Sequence, residues 1–260
     1  MYMRRILAFS FIALMAAVSC KKDDTLRYNN ITMGDIDGQT IVSDQGNTFD
    51  ITESLFDVNL SSYEYGRVIL SCDVLRKTSD KRYDIRLTGI ASVLKKDAVP
   101  ASAVTAESEV SVDNPIVISE IWYGGGYINM ALRFVHKRDG KIHLINLVYD
   151  DTAAAEESEM KNYTFTLRHN AFGQIPSEEE ELSDYEVSTG YVSFPIAGLV
   201  KEDRAKITIK WNAHPFKNGR FDYLSGEQIT KTYDWQRIGF EQSQSSTIPT
   251  PMPCTNFLVR

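Results

Sequence analysis

The sequence predicts an all-β protein made of two consecutive domains, and three observations support this prediction. From Leu26 onward, β-branched and aromatic residues recur in short runs, several of which alternate with polar residues. Turn-forming sequences separate these runs, and no long helix is predicted between them. Of the 260 residues 43% are hydrophobic, with 15 glycines and 8 prolines, which is the composition of a globular protein and not of a fibre or a disordered chain.

The charge balance limits the kinds of partner. The 28 basic and 35 acidic residues give a formal charge of 28 − 35 = −7. Binding to duplex nucleic acid depends on basic side chains that neutralise phosphates, so the acidic balance argues against a nucleic-acid partner. The length suffices for one large domain or two small ones.

Residues 1–19 are predicted to be a cleaved lipoprotein signal peptide. Two arginines precede a mainly apolar run at residues 6–18, which is too short to span a bilayer comfortably. The sequence Ala-Val-Ser-Cys then ends at Cys20 and resembles a lipobox, where the cysteine thiol is acylated and the leader is cleaved. The alternative is ordinary secretion with cleavage a few residues earlier, which would leave Cys20 as a thiol.

Residues 20–27 are predicted to be a lipidated tether. The four residues after the cysteine resemble the surface-export tag of some Gram-negative lipoproteins, in which basic residues precede two acids: Lys21, Lys22, Asp23 and Asp24. By that resemblance the protein would be lipid-anchored in the outer membrane and displayed on the cell surface; the alternative is a merely solvated tether. Removal of the leader takes away two arginines, so residues 20–260 carry 26 − 35 = −9.

Residues 28–105 are predicted to form a small barrel of the OB type. Short strands are expected at residues 39–42 and 48–51, joined by a polar loop suited to a hairpin. Residues 67–75 and 83–93 form a stronger pair of strands around a polar turn. Four or five short strands in a segment of this size suit an OB-like barrel.

Residues 106–240 are predicted to form a β-sandwich, followed by a flexible tail at residues 241–260. The boundary is placed near residue 105 because residues 97–112 are rich in Ala, Ser and Val, as in a linker or one short helix. Three consecutive glycines at residues 124–126 predict a hairpin turn or bulge with positive φ. Further strands are expected at residues 141–149, 163–169, 190–196 and 205–211, with one more hairpin at 221–224 and 229–235.

Neither remaining cysteine has surroundings that suggest a nucleophile. Cys72 lies in an apolar strand and is predicted to be a buried small hydrophobic residue. A disulfide with Cys254 in the tail is compatible with export, but two cysteines do not establish a framework. Four adjacent glutamates at residues 178–181 predict a solvated turn or disorder, with a cation site as the alternative.

The glycine triplet lies within a longer pattern that resembles a known family. Residues 114–129 read Asn-Pro-Ile-Val-Ile-Ser-Glu-Ile-Trp-Tyr-Gly-Gly-Gly-Tyr-Ile-Asn, and related motifs follow in order at residues 141–148, 167–171 and 190–194. Together with Cys20, this order resembles the NigD-like lipoproteins. The resemblance implies an N-terminal OB-like barrel, a C-terminal β-sandwich and a role linked to bacteriocin immunity. It brings no catalytic residues.

The motif content predicts that the protein is not an enzyme. The chain lacks the G-x-S-x-G, H-E-x-x-H and C-x-x-C motifs, so no catalytic residue, metal ligand or cofactor is assigned. Of the four histidines, His143 lies in an apolar strand and is interpreted as a hydrogen-bonded structural residue, with a ligand or base as the alternative.

Aromatic residues beside the glycine triplet are candidates for ligand contact. These are Trp122, Tyr123 and Tyr127. Alternation places Trp122 and Tyr123 on opposite faces of their strand, so at most one of them can point outward, and packing of Trp122 in the core is the alternative. Separately, Thr25 and Thr152 each follow an aspartate in a three-residue pattern that resembles an O-glycosylation acceptor.

The sequence therefore favours a lipid-anchored, non-enzymatic binding protein whose membrane contact is the lipid on Cys20. An acidic chain at a membrane surface would attract a cationic peptide such as a bacteriocin. The alternatives are a glycan-binding accessory lipoprotein and a structural component of a surface assembly. The sequence does not indicate the oligomeric state.

Overall fold

The computed structural model describes residues 26–151, 160–177 and 182–236. Several sequence predictions fall outside these ranges: the signal peptide at residues 1–19, the lipidated Cys20, the export tag at residues 21–24, the glycosylation candidates Thr25 and Thr152, the glutamates at 178–181, Cys254 and the tail at 241–260. Across the described ranges, no helix is long and apolar enough to cross a membrane.

The predicted all-β fold is confirmed, and its first part is a closed five-stranded barrel. The strand order around the barrel is β1-β2-β3-β5-β4, with β3 and β5 parallel and the other pairs antiparallel. A single five-stranded closed barrel of this order matches the predicted OB type. The strands are β1 (Leu26–Asp37), β2 (Thr40–Ser43), β3 (Thr48–Ser54), β4 (Arg67–Ser79) and β5 (Arg82–Ser92).

Strand alternation fills the barrel interior. On β4, Val68, Leu70, Cys72 and Val74 point inward and pack with apolar residues of the other strands, among them Ile85. The prediction for Cys72 is confirmed, since the side chain is 3% exposed and burial raises the pKa of its thiol to about 11. Cys254, the other cysteine of the possible disulfide, lies outside the described residues.

The second part is a β-sandwich of two sheets. One sheet has the order β16-β13-β11-β10-β7, the other has the order β6-β12-β9-β8, and β14 and β15 form a separate small hairpin. The strands are β6 (Leu94–Lys95), β7 (Val99–Pro100), β8 (Val117–Gly124), β9 (Tyr127–Lys137), β10 (Leu144–Tyr149), β11 (Asn162–Asn170), β12 (Tyr185–Pro195), β13 (Arg204–Ala213), β14 (Phe216–Lys217), β15 (Arg220–Phe221) and β16 (Glu227–Gln236). Short 3-10 turns cover Leu60–Ser62, Ala101–Ala103, Glu109–Ser111 and Leu182–Asp184.

Apolar side chains of both sheets form the sandwich core. Phe134 and Phe194 from one sheet meet Leu147, Phe165 and Ile209 from the other, and all five are at most 1% exposed. Five of the six residues of β10 are buried, as expected for a strand covered on both faces.

The chain enters the sandwich earlier than residue 106. Strand β6 pairs in parallel with β12 through Leu94 and Val192, and β7 pairs in parallel with β10 through Val99 and Val148. The boundary near residue 105 stays a prediction for domain division, but short strands on its N-terminal side already belong to both sheets.

The end of the sandwich differs in detail from the predicted hairpin. Residues 229–235 lie in β16, which pairs with β13, whereas Phe221 pairs with Phe216. Asn218 and Gly219 have φ values of 52° and 79°, and a two-residue turn of this kind closes the hairpin between β14 and β15.

Candidate functional site

The glycine triplet lies where the barrel meets the sandwich. As predicted, it forms the β8–β9 hairpin turn, with φ of 60° at Gly125 and 89° at Gly126. Asp44 of the barrel lies against this turn, and a Cβ atom on Gly124 would come within 2.9 Å of Asp44 Oδ2. A side chain on Gly125 would collide with the same carboxylate. The glycines are therefore required for the close approach of the two domains.

A buried arginine joins the domains beneath this turn. Arg67, at the start of β4, is 0% exposed, and its Nη2 lies 2.8 Å from Asp44 Oδ2. From the sandwich side, Ser193 Oγ accepts a hydrogen bond from Arg67 Nε at 2.8 Å, and Asn129 Oδ1 accepts one from Nη2 at 3.0 Å. Burial raises the pKa of the Asp44 carboxyl, against the lowering effect of Arg67. We call Arg67, Asp44, Asn129 and Ser193 the joint cluster.

Tyr127 covers the joint cluster. The Arg67 guanidinium lies 4.0 Å from the centre of the Tyr127 ring, and Tyr127 Oη donates a hydrogen bond to Asp35 Oδ2 at 3.1 Å. Burial and the Asp35 carboxylate raise the pKa of Tyr127 to about 12. Lys95 Nζ lies 3.2 Å from Asp35 Oδ1, so the half-exposed Asp35 also links the two domains.

The three candidate ligand-facing aromatics all contact the protein itself. Trp122 packs against the apolar contact between the domains, which includes Met33 and Ile69 of the barrel. Tyr123 faces the sandwich core, where its ring meets Trp235 edge-on at 5.6 Å. Together with the contacts of Tyr127, these give all three rings a packing role.

All four histidines of the chain are buried at the sandwich end farthest from the barrel. His136 ends β9, which begins beside the barrel at Tyr127; His143 precedes β10, His169 ends β11, and His214 follows β13. His143 lies between two other histidine rings, with centroid distances of 4.9 Å to His169 and 6.3 Å to His136. We call this set the histidine cluster.

Hydrogen bonds fix the tautomers of the central pair. The Pro115 carbonyl accepts from His169 Nδ1 at 3.0 Å, so His169 Nε2 carries the lone pair and accepts from His143 Nδ1 at 2.9 Å. Burial lowers the pKa of His143 to about 3 and that of His169 to about 4, with a further lowering of His143 by its two neighbours. Both rings are neutral at pH 7, which fits the predicted structural role of His143.

An open groove of about 430 Å³ lies on the outside of the barrel. It combines apolar side chains with two carboxylates, and Phe56 beside it is 41% exposed. Its lining residues are Gln39, Ile51, Thr52, Glu53, Ser54, Phe56, Asp57, Val58 and Leu60. We call it the barrel groove. In the part of the chain that the structure describes, no group of three or more His, Cys, Asp or Glu residues is arranged to hold a metal ion.

Comparison with protein families identifies the second domain. Residues 98–224 match the model of the NigD-like C-terminal beta sandwich domain. The chain carries a NigD-like β-sandwich. This match confirms the resemblance predicted from the sequence, and the matched range includes the glycine turn and the histidine cluster.

Several solved structures share this fold over most of the chain. A protein of unknown function from Bacteroides vulgatus ATCC 8482 has 16% identity and a TM-score of 0.58, covering 86% of this chain and 96% of its own. A NigD-like immunity protein from Bacteroides caccae ATCC 43185 has 17% identity and a TM-score of 0.55, covering 80% and 97%. A candidate lipoprotein from Bacteroides fragilis NCTC 9343 has 13% identity and a TM-score of 0.51, covering 79% and 96%.

At these identities the neighbours establish the fold alone. No curated protein sequence matches this chain.

Sequence reasoning did not find the residues that join the NigD-like sandwich to the barrel. Arg67 opens an otherwise apolar run, Arg67-Val68-Ile69-Leu70, and a charged residue at the start of a buried strand is a signal for a buried ion pair. No comparable signal marks the barrel groove, because Phe56 and Asp57 lie in a connection without periodicity.

Proposed function

We propose that this protein is a lipid-anchored, non-enzymatic binding protein outside the cell, and that its barrel captures a cationic, partly apolar peptide in an immunity-like role. The observation that carries the proposal is the composition of the barrel groove. Ile51, Phe56 and Val58 offer apolar surface, and Asp57 offers a carboxylate beside Glu53, which is paired with Arg86. A peptide that alternates basic and apolar side chains is complementary to both.

The position of the groove supports a role in binding. OB-type barrels bind ligands on the face formed by their second and third strands. Here Gln39, just before β2, and the C-terminal half of β3 line the groove. The sandwich covers a different side of the barrel, through Met33 of β1 and Ile69 of β4. Capture of a peptide would therefore leave the joint cluster undisturbed.

The exposed apolar side chains beside the groove also support binding. Leu55 is 68% exposed, next to the 41% exposed Phe56. Two adjacent large apolar residues on a loop expose surface that a partner can cover. The volume of the groove is within the range of pockets that hold small ligands or a few side chains of a peptide.

An immunity-like role is supported by one structural neighbour. The B. caccae structure is described as a NigD-like immunity protein. An acidic protein held at the cell surface raises the local capture rate of a cationic toxin. Capture by binding requires no catalytic group.

The groove can be tested with a synthetic amphipathic peptide of lysine and leucine. We expect Phe56→Ser to weaken binding about tenfold, since it removes roughly 1.5 kcal/mol of apolar contact. Asp57→Lys is expected to weaken binding severalfold at low salt and less at high salt, because salt screens exposed charges. Isothermal titration calorimetry on residues 21–260 measures both effects.

Phe216→Ser, which removes an equally apolar exposed ring from the sandwich, is the matched control and is expected to bind the peptide as the wild type does. Equal affinity of all three variants would contradict the groove assignment. Binding of neutral oligosaccharides in place of the peptide would favour the glycan-binding alternative.

The anchor is tested separately in cells. The candidate lipoprotein from B. fragilis has the same fold, and Cys20 follows a lipobox-like sequence. We expect Cys20→Ser to move the protein from the detergent phase to the aqueous phase in Triton X-114 partitioning, whereas Cys254→Ser stays in the detergent phase. Protease treatment of intact cells is expected to digest the wild type. Aqueous partitioning of the wild type would contradict the anchor, and protection from protease would contradict display on the outer face.

A further inference from the structure

A small hairpin at the end of the sandwich has a composition unlike the rest of the surface. Strands β14 and β15 pair with each other alone, through Phe216 with Phe221 and Lys217 with Arg220. The residues from Phe216 to Arg220 are all exposed. We call residues 216–224 the tip hairpin.

Large apolar side chains of the tip hairpin face solvent. Phe216 is 63% exposed and Leu224 is 45% exposed. The Phe216 ring rests edge-on against Phe221 at 5.0 Å, and Phe221 continues to Tyr223 at 6.2 Å. Phe216 and Leu224 are thus presented to solvent, whereas Phe221 is partly covered.

Positive charges accompany these apolar side chains. Lys217 and Arg220 are exposed and lie on the face opposite to the two phenylalanines. Asp222 lies 3.6 Å from the Lys217 ammonium, and it also accepts a hydrogen bond from Ser225. Residues 216–221 include no acidic residue, although the chain as a whole carries a charge of −7.

We propose that the tip hairpin docks on an anionic lipid bilayer surface. Exposed phenylalanine and leucine can enter the boundary between headgroups and acyl chains, while lysine and arginine beside them remain with the anionic headgroups. Residues 216–220 are all exposed, so they can enter a bilayer surface, whereas a small soluble ligand needs a concave site to lose its water. Phenylalanine and leucine also lack the polar groups that would hydrogen-bond a sugar.

The contact would orient the protein on the membrane that holds it. One apolar ring and two cations bind a bilayer weakly by themselves, but a lipid on Cys20 would hold the whole protein near the same surface, and docking of the tip hairpin would then fix its orientation there. This orienting effect rests on the proposed lipid anchor. The affinity of the tip hairpin for a bilayer is independent of that anchor. Both the orienting effect and the affinity are independent of the barrel groove.

The test measures binding of residues 21–260, which lack the lipid, to vesicles of phosphatidylcholine with and without one-quarter phosphatidylglycerol. Sedimentation at low salt is expected to show stronger partitioning to the anionic vesicles. Phe216→Ser is expected to reduce partitioning about tenfold. The double variant Lys217→Gln, Arg220→Gln is expected to reduce it about 25-fold, at roughly fivefold for each charge.

Matched variants keep the proposal falsifiable. Leu224→Ser provides a second apolar deletion outside the turn and is expected to reduce partitioning severalfold, whereas Phe56→Ser in the barrel groove is expected to leave it unchanged. Equal partitioning of wild type and hairpin variants would overturn the proposal. Binding to heparin with no binding to vesicles would also overturn it, in favour of an acidic polysaccharide. If the wild type binds the peptide but not the vesicles, the proposal for the tip hairpin is wrong while the proposal for the barrel groove stands.

Discussion

Replacement of Arg67 by alanine is expected to lower the free energy of unfolding by about 4 kcal/mol, as for other buried ion pairs that lose one partner. The substitution leaves the carboxylate of Asp44, 7% exposed, without its guanidinium. It also removes the donors to Ser193 and Asn129 across the domain boundary. Arg67→Lys is expected to be destabilising as well, because an ammonium cannot reproduce the planar set of donors. Urea unfolding followed by intrinsic fluorescence measures the change.

The exposed ion pair of Arg82 with Asp50 is the matched control. Arg82 Nε lies 2.6 Å from Asp50 Oδ2, but the arginine side chain is 50% exposed. Arg82→Ala is expected to destabilise the fold far less than Arg67→Ala, because water screens an exposed ion pair. The double variant Arg67→Ala, Asp44→Ala is expected to be less destabilised than the sum of its single variants. A loss below about 1 kcal/mol for Arg67→Ala would contradict the role of the joint cluster.

Acidification is expected to destabilise the fold through the histidine cluster. Burial holds the pKa of His143 at about 3 and that of His169 at about 4 in the folded state, whereas an unfolded histidine titrates near 6.5. Below pH 6.5 the unfolded chain binds more protons, so stability falls as the pH decreases and the loss levels off only below the folded pKa values. At pH 5 the two residues together are expected to lower the free energy of unfolding by about 4 kcal/mol, compared with its value at neutral pH.

This expectation is checked by unfolding curves at pH 7, 6 and 5 and by histidine proton NMR. The four histidines of the chain give few resonances to assign. The double variant His143→Asn, His169→Gln keeps polar groups at both positions and is expected to lose much of the acid sensitivity. A folded-state titration of His143 or His169 near pH 6.5 would contradict the expectation.

The elements with strong periodicity were predictable from the sequence. The alternation of Val68, Leu70, Cys72 and Val74 predicts both the strand and its buried face, and β4 follows it. The turn between β8 and β9 was predictable because consecutive glycines tolerate positive φ. The pairing of β6 with β12 and of β7 with β10 was not predictable, since two-residue strands carry no periodic pattern.

The sites were less predictable than the strands, because they depend on contacts between distant residues. The sequence drew attention to Trp122, Tyr123 and Tyr127. Trp122 and Tyr127 pack against residues of the barrel, whose position is not encoded locally, and Tyr123 packs against the distant Trp235. Arg67 and Ser193 are 126 residues apart in the chain, and no local pattern relates them. The exposed aromatic residues Phe56 and Phe216 lie in a connection and in a short hairpin, where no periodic pattern marks them.

The short strands β6 and β7 have a consequence for the order in which the chain can fold. Leu94 leaves the ribosome long before its partner Val192, which is 192 − 94 = 98 residues later. Strands β6 and β7 are edge strands of the two sheets, so neither sheet is complete until they have paired with strands that are made later. Long-range parallel pairing forms slowly. During synthesis, the segment that follows the barrel therefore stays unpaired until most of the remaining chain has been made. Protection of that segment by a chaperone would matter more for this protein than for one whose domains fold one after the other.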